Sequence, residues 1–123
     1  MAQLAVPPAL APVPGPVFAH AAAASPRRPA TAVGVGQREF SIAIYRPRVH
    51  VGALKFNVRN LGEDVHDLVV RRAGRPIATL ASIAAGETET LRVTLRRPGR
   101  YQLVCTVADH EARGMRATLR VSR

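Results

Sequence analysis

Residues 99–123 read GRYQLVCTVADHEARGMRATLRVSR, and two kinds of order meet in them. Met115, Ala117, Leu119 and Val121 alternate with Arg116, Thr118, Arg120 and Ser122. A period of two places the first set on one face of a β-strand and the second on the other. Just ahead of that strand, Cys105, His110 and Met115 follow one another with four residues in each gap. Cys105 ends the strand that begins near Arg100 and Met115 opens the next, so the loop between them can gather a thiol, an imidazole and a thioether at one end of a sheet.

The same alternation extends back along the chain. Phe40, Ile42 and Ile44 alternate with Glu39, Ser41 and Ala43; Leu54, Phe56 and Val58 with Lys55, Asn57 and Arg59; Leu91, Val93 and Leu95 with Arg92, Thr94 and Arg96. Each reads as a half-buried strand. Turn-forming residues punctuate them at Asn60 to Asp64, Ala73 to Pro76, Ala84 to Glu87 and Arg97 to Gly99. That spacing implies an all-β Greek-key sandwich of about seven to eight strands. Aromatic residues are few and Trp is absent, so the core must be built from Val, Leu, Ile and Ala. A chain of 123 residues fits one such domain.

Residues 1–34 differ from the rest. Ala and Pro dominate, no charge precedes Arg27, and five prolines fall between Pro7 and Pro16, which rules out an ordinary helix or central strand there. Val17-Phe18-Ala19-His20-Ala21 ends in a small-x-small pattern of the kind signal peptidase prefers. The stretch is therefore expected to be a signal peptide or an irregular linker, and residues 35–123 the folded domain, outside the cytoplasm. No run reaches the roughly 18 apolar residues of a spanning helix, so no membrane span is expected.

The formal charge is +10, which draws the protein towards anionic partners. The arginines stand singly or in pairs, Arg71 with Arg72 and Arg96 with Arg97, without interleaved aromatics; nucleic acid is not the expected partner. Cys105 is the single cysteine, so an internal disulfide is impossible, and a free thiol in an oxidising compartment needs a specific reason. Metal ligation supplies one. Cys, His and Met are donors suited to copper, and His66, just past the turn at Asn60 to Asp64, opens a strand at the same end of the sandwich. Two imidazoles and a thiolate in a plane with a weak axial thioether form the blue-copper arrangement. Singly, each residue reads more simply: Cys105 and Met115 as core, His66 and His110 as loop histidines. The ordered spacing makes the set. His20 and His50 lack such support and are read as solvated.

The pattern Gly52-x-Leu54-x-Phe56-x-Val58-x-Asn60, then His66, then Gly99-x-Tyr101-x3-Cys105-x4-His110-x3-Gly114-Met115 resembles the cupredoxin family of plastocyanin and azurin over residues 38–123. The resemblance implies His66, Cys105 and His110 as equatorial ligands, Met115 as axial ligand, and the edge of the His110 ring as the route for electrons. Asp67 stands where many relatives have Asn, and Ala108-Asp109 where they have Pro-Gly; the ligand set survives both. A monomeric carrier of single electrons between redox proteins with acidic docking surfaces follows, with no catalytic turnover of its own. A copper store or delivery module, or a metal-free adhesive or scaffold sandwich, are the alternatives.

Overall fold

Among the described residues, alternating apolar and polar side chains become nine strands: β1 Thr31–Arg38, β2 Ser41–Ile44, β3 Arg48–His50, β4 Gly52–Asn60, β5 His66–Arg72, β6 Arg75–Ile83, β7 Thr88–Leu95, β8 Gly99–Val104 and β9 Arg116–Ser122. The computed structural model describes residues 2–15 and 28–123. The expected Ala19-His20-Ala21 cleavage pattern lies outside the described residues; residues 2–15 carry no helix or strand. The first strand starts at Thr31, ahead of the alternation that begins after Val35, because Thr31 to Gln37 pair with Leu54 to Asn60 in parallel register. Among the described residues no helix is long and apolar enough to cross a membrane.

The strands form two mixed sheets, ordered β2-β1-β4-β7 and β3-β9-β8-β5-β6, and the expected all-β Greek-key sandwich is what they make. The count reaches nine because β2 and β3 are only four and three residues long, below what alternation reveals. Phe40 precedes β2 instead of lying within it. Between the sheets lie Val33, Val35, Leu54, Phe56, Val58, Leu68, Val70, Ile83, Leu95, Leu103 and Leu119, all at most 1% exposed. Each such burial contributes about 1.5–3 kcal/mol. Cys105 and Met115 belong to the same cluster, so the core extends to the end of the sandwich where the ligand candidates sit.

Two fully buried amides tie the sheets to the segment that carries His66. Gln37 and Asn60 are partners in the β1–β4 register. Gln37 Nε2 donates to the Asp67 carbonyl at 2.7 Å. Asn60 Nδ2 donates to the carbonyls of Asp64 at 2.7 Å and Ile83 at 2.9 Å, and its Oδ1 accepts from the Gly62 amide at 2.9 Å. These bonds satisfy backbone groups that burial would otherwise leave unpaired. Asn60→Leu should therefore destabilise the domain by about 3 kcal/mol, the upper end of the cost of orphaning buried polar partners. Urea unfolding checks this, and a loss below about 0.5 kcal/mol would show that the loop does not depend on Asn60.

Candidate metal centre

The antiparallel pairing of β5 with β8 sets Val69 against Val104 and Arg71 against Gln102. Continuing that ladder upward brings the start of β5 beside the residues that follow β8. The Asp67 carboxylate closes the junction: Oδ1 accepts from the Thr106 amide at 2.6 Å and Oδ2 from the Thr106 hydroxyl. His66 and Cys105 are thus held on neighbouring strands. On the other side of β5, β6 carries an extra residue between Leu80 and Ile83, where Ser82 takes φ 47°, a bulge of the kind that re-aims a side chain beside a site.

His110 and Met115 come from the loop after β8. That loop is wound by its own backbone: the His110 amide donates to the Val107 carbonyl, Arg113 to Asp109, Gly114 to Glu111 and Met115 to His110, at 3.0 to 3.1 Å. The Cys105 amide donates to the Met115 carbonyl at 3.1 Å, which joins the two ends. Gly114, with φ 122°, has no room for a side chain that would press on the Phe40 carbonyl. Arg71 of β5 clasps the loop from outside, its Nη1 2.8 Å from Glu111 Oε1.

Three of the four expected ligands converge. His66 Nδ1 lies 3.3 Å from His110 Nδ1, and Cys105 Sγ lies 3.8 and 3.7 Å from them. A circle through these atoms has a radius of about 2.1 Å, within the range of zinc–nitrogen and zinc–thiolate bonds. His66 and Cys105 are wholly buried and His110 is 6% exposed. Met115 is equally buried in the core, joined to the group by its backbone bonds to Cys105 and His110.

Burial pushes the Cys105 thiol up from its ordinary range and the Asp67 carboxylate adds to that, while the backbone amides of Asp67 and Val107 oppose the shift. Those amides stabilise a thiolate, the form in which cysteine binds a metal. Two buried imidazoles and one cysteine sulfur, on a triangle of bonding size, fit a soft or borderline cation such as copper.

Further contacts surround the triangle. Glu39 Oε1 lies 3.0 Å from His66 Nε2, although the pair is not aligned as a hydrogen bond. The amides of Asp64 and Glu63 donate to the same carboxylate at 2.7 and 3.0 Å, and the Asp64 amide first of all holds its pKa down to about 2. Asp64 Oδ2 is 3.7 Å from His110 Nε2. The Phe40 ring meets the His110 ring edge-on at 5.2 Å between centroids, and Arg113 covers Phe40 at 4.9 Å. Gln37 comes from β1 and Glu39 and Phe40 from the turn between β1 and β2, and neither alternation nor spacing marked them as part of a site. His50 stays at the surface, bonded to the Arg123 carbonyl, and His20 lies outside the described residues.

The sequence matches no protein-family profile and no curated protein, whereas solved structures are clearly similar. Auracyanin B superposes with a TM-score of 0.70 at 20% identity, over 79% of this chain and 92% of its own. Auracyanin A, a "blue" copper protein from Chloroflexus aurantiacus, gives 0.64 at 15% identity over 75% and 98%. The reduced auracyanin of Roseiflexus castenholzii gives 0.62 at 18% over 76% and 98%. A multicopper oxidase also matches, with a TM-score of 0.61 at 15% identity, and there 78% of this chain spans 46% of the larger one. At such identities the likeness lies in the architecture, and by that architecture the chain has the cupredoxin fold.

Proposed function

We propose that the chain holds one copper ion with His66, Cys105, His110 and Met115 and carries single electrons. The observation that carries this reading is the buried triangle of two Nδ1 atoms and one Sγ, already of bonding size. Copper so ligated would alternate between Cu(I) and Cu(II), and the weak axial donor would be Met115. The chain's own part is to keep the donors where both states accept them, through the Asp67–Thr106 clasp and the backbone bonds of residues 107–115.

Enzymatic copper chemistry needs an open coordination position or a second metal. Four donors leave none open, and one cysteine per chain cannot build a second such centre. Four surface grooves are lined by residues other than these ligands. A store or delivery module would exchange its ion readily, which the burial of His66, Cys105 and Met115 opposes. An extracytoplasmic place for the domain agrees with the small-x-small pattern and with a lone cysteine kept inside.

The exposed edge of His110 is the proposed electron route. Arg113 stands beside it over Phe40, but Asp64 and Asp109 stand there too, and Asp109 binds Arg113 at 2.7 Å. The net charge of residues 35–123 is +8, from 16 basic and 8 acidic groups, and it supports partners with acidic docking surfaces, steered over distance.

Adding Cu(II) to the metal-free protein should turn it intensely blue through thiolate-to-copper charge transfer, and Cys105→Ser should abolish the colour; a serine variant that kept it would sink the ligand assignment. Met115→Gln should retain copper and lower the reduction potential, because a harder axial oxygen favours Cu(II); voltammetry showing no change or a rise counts against an axial Met115. Electron exchange with an anionic redox reagent should slow as salt shortens the screening length to about 10 Å at 0.1 M. In stopped-flow runs Arg113→Glu should slow that exchange further and Asp64→Asn should speed it, whereas rates indifferent to salt and to both changes would place the docking surface elsewhere.

A further inference from the structure

We infer that Glu39 is the positioning residue of the centre, fixing through its carboxylate the ring nitrogen that His66 turns to the metal and favouring the more highly charged state of the ion. The inference rests on the copper reading of the triangle and deepens it.

Glu39 sits in a fitted cradle. Its carboxylate accepts the Glu63 and Asp64 amides, and Gly62 leaves the space it fills, since a Cβ there would collide with both carboxylate oxygens. Asn60 holds the Gly62 amide and the Asp64 carbonyl from within, so the cradle is anchored to the core. The side chain is only 24% exposed, and its neighbour His66 is not exposed at all. Asp64 faces His110 differently, 57% exposed and 3.7 Å away, where water weakens its effect.

His66 Nε2 is buried and has no aligned hydrogen-bond acceptor among the described residues. Its nearest charge is the Glu39 oxygen at 3.0 Å. A negative charge at that distance favours the proton on Nε2, which leaves the Nδ1 lone pair directed at Cys105 and His110. Carboxylates placed behind metal-bound imidazoles act in this way, fixing the tautomer and raising the basicity of the ligand. The same charge stabilises Cu(II) more than Cu(I), since the extra positive charge is attracted more strongly.

Glu39→Gln, Glu39→Asp and the wild-type protein form the test, each read by its colour with Cu(II), by Cu(II) and Cu(I) affinities from chelator competition, and by its midpoint potential. The glutamine variant should stay blue, bind Cu(II) about tenfold more weakly and lose less of its Cu(I) affinity, with a rise in potential of at most about 59 mV for one electron. The aspartate variant, which keeps the charge, should recover most of that change. A glutamine variant within twofold of wild type in Cu(II) affinity and with an unshifted potential overturns the role of Glu39, as do equal shifts in the two variants, since packing alone would then explain them. Nitrogen NMR of the metal-free wild type tests the same point without any substitution: His66 should carry its proton on Nε2, and a proton on Nδ1 overturns the inference. A wild type that stays colourless with Cu(II) overturns the copper reading instead, so the two failures are distinct.

Discussion

The pairing of β5 with β8 is the constraint on which the rest of the centre depends. His66 and Cys105 are 39 positions apart in sequence, and only this ladder places them side by side. Asp67 makes the junction rigid by binding both the amide and the hydroxyl of Thr106. The same residue gives its carbonyl to Gln37. One residue therefore links strand registration and the opposite sheet. An aspartate at that position accepts from Thr106 with both oxygens, whereas an asparagine would offer a single acceptor oxygen.

Buried polar groups in this small core are concentrated where backbone irregularity is needed. Regular strands satisfy their own hydrogen bonds, but the segment 61–65 and the loop 106–114 cannot. The Asn60 amide serves the first, internal turns serve the second, and the Gln37 amide binds the Asp67 carbonyl just inside β5. The cost of burying the Asn60 amide is offset by the carbonyls and amide it satisfies, whereas Gln37 bonds through its nitrogen and its oxygen stays buried without a partner among the described residues. Rigidity at the end where the candidate ligands sit thus has a definite source in side-chain amides on the sheet that holds none of those candidates.

The long strands were legible in the sequence because each buries one face, and the alternation of β4, β7 and β9 appears in their burial patterns. The short β2 and β3 were less so, since three or four residues display little period. β6 is an edge strand with most of its residues exposed, and its sequence lacks a clear apolar face. The convergence of His66, Cys105 and His110 was readable because the spacing of unusual donors is a local signal. The parts played by Glu39, Phe40 and Gln37 were not, because they reach the centre through the parallel β1–β4 register and the turn before β2. Long-range register of that kind leaves no mark in local composition. Asp67 was visible only as a departure from a family pattern, and its grip on Thr106 required coordinates.

The wrapping of the sulfur also governs the chemical lifetime of the protein. Cys105, Met115 and His66 have no exposed surface, and the ring of His110, 3.7 Å from the sulfur, is the one partly exposed member of the group. A peroxide or an alkylating reagent can reach the thiol only when the 106–114 loop lifts that ring aside. Its attack is then limited by the frequency of loop opening and by the small thiolate fraction that burial allows. The ring of His110, the one partly exposed member of the group, is therefore also the stopper that keeps the only cysteine from oxidative damage.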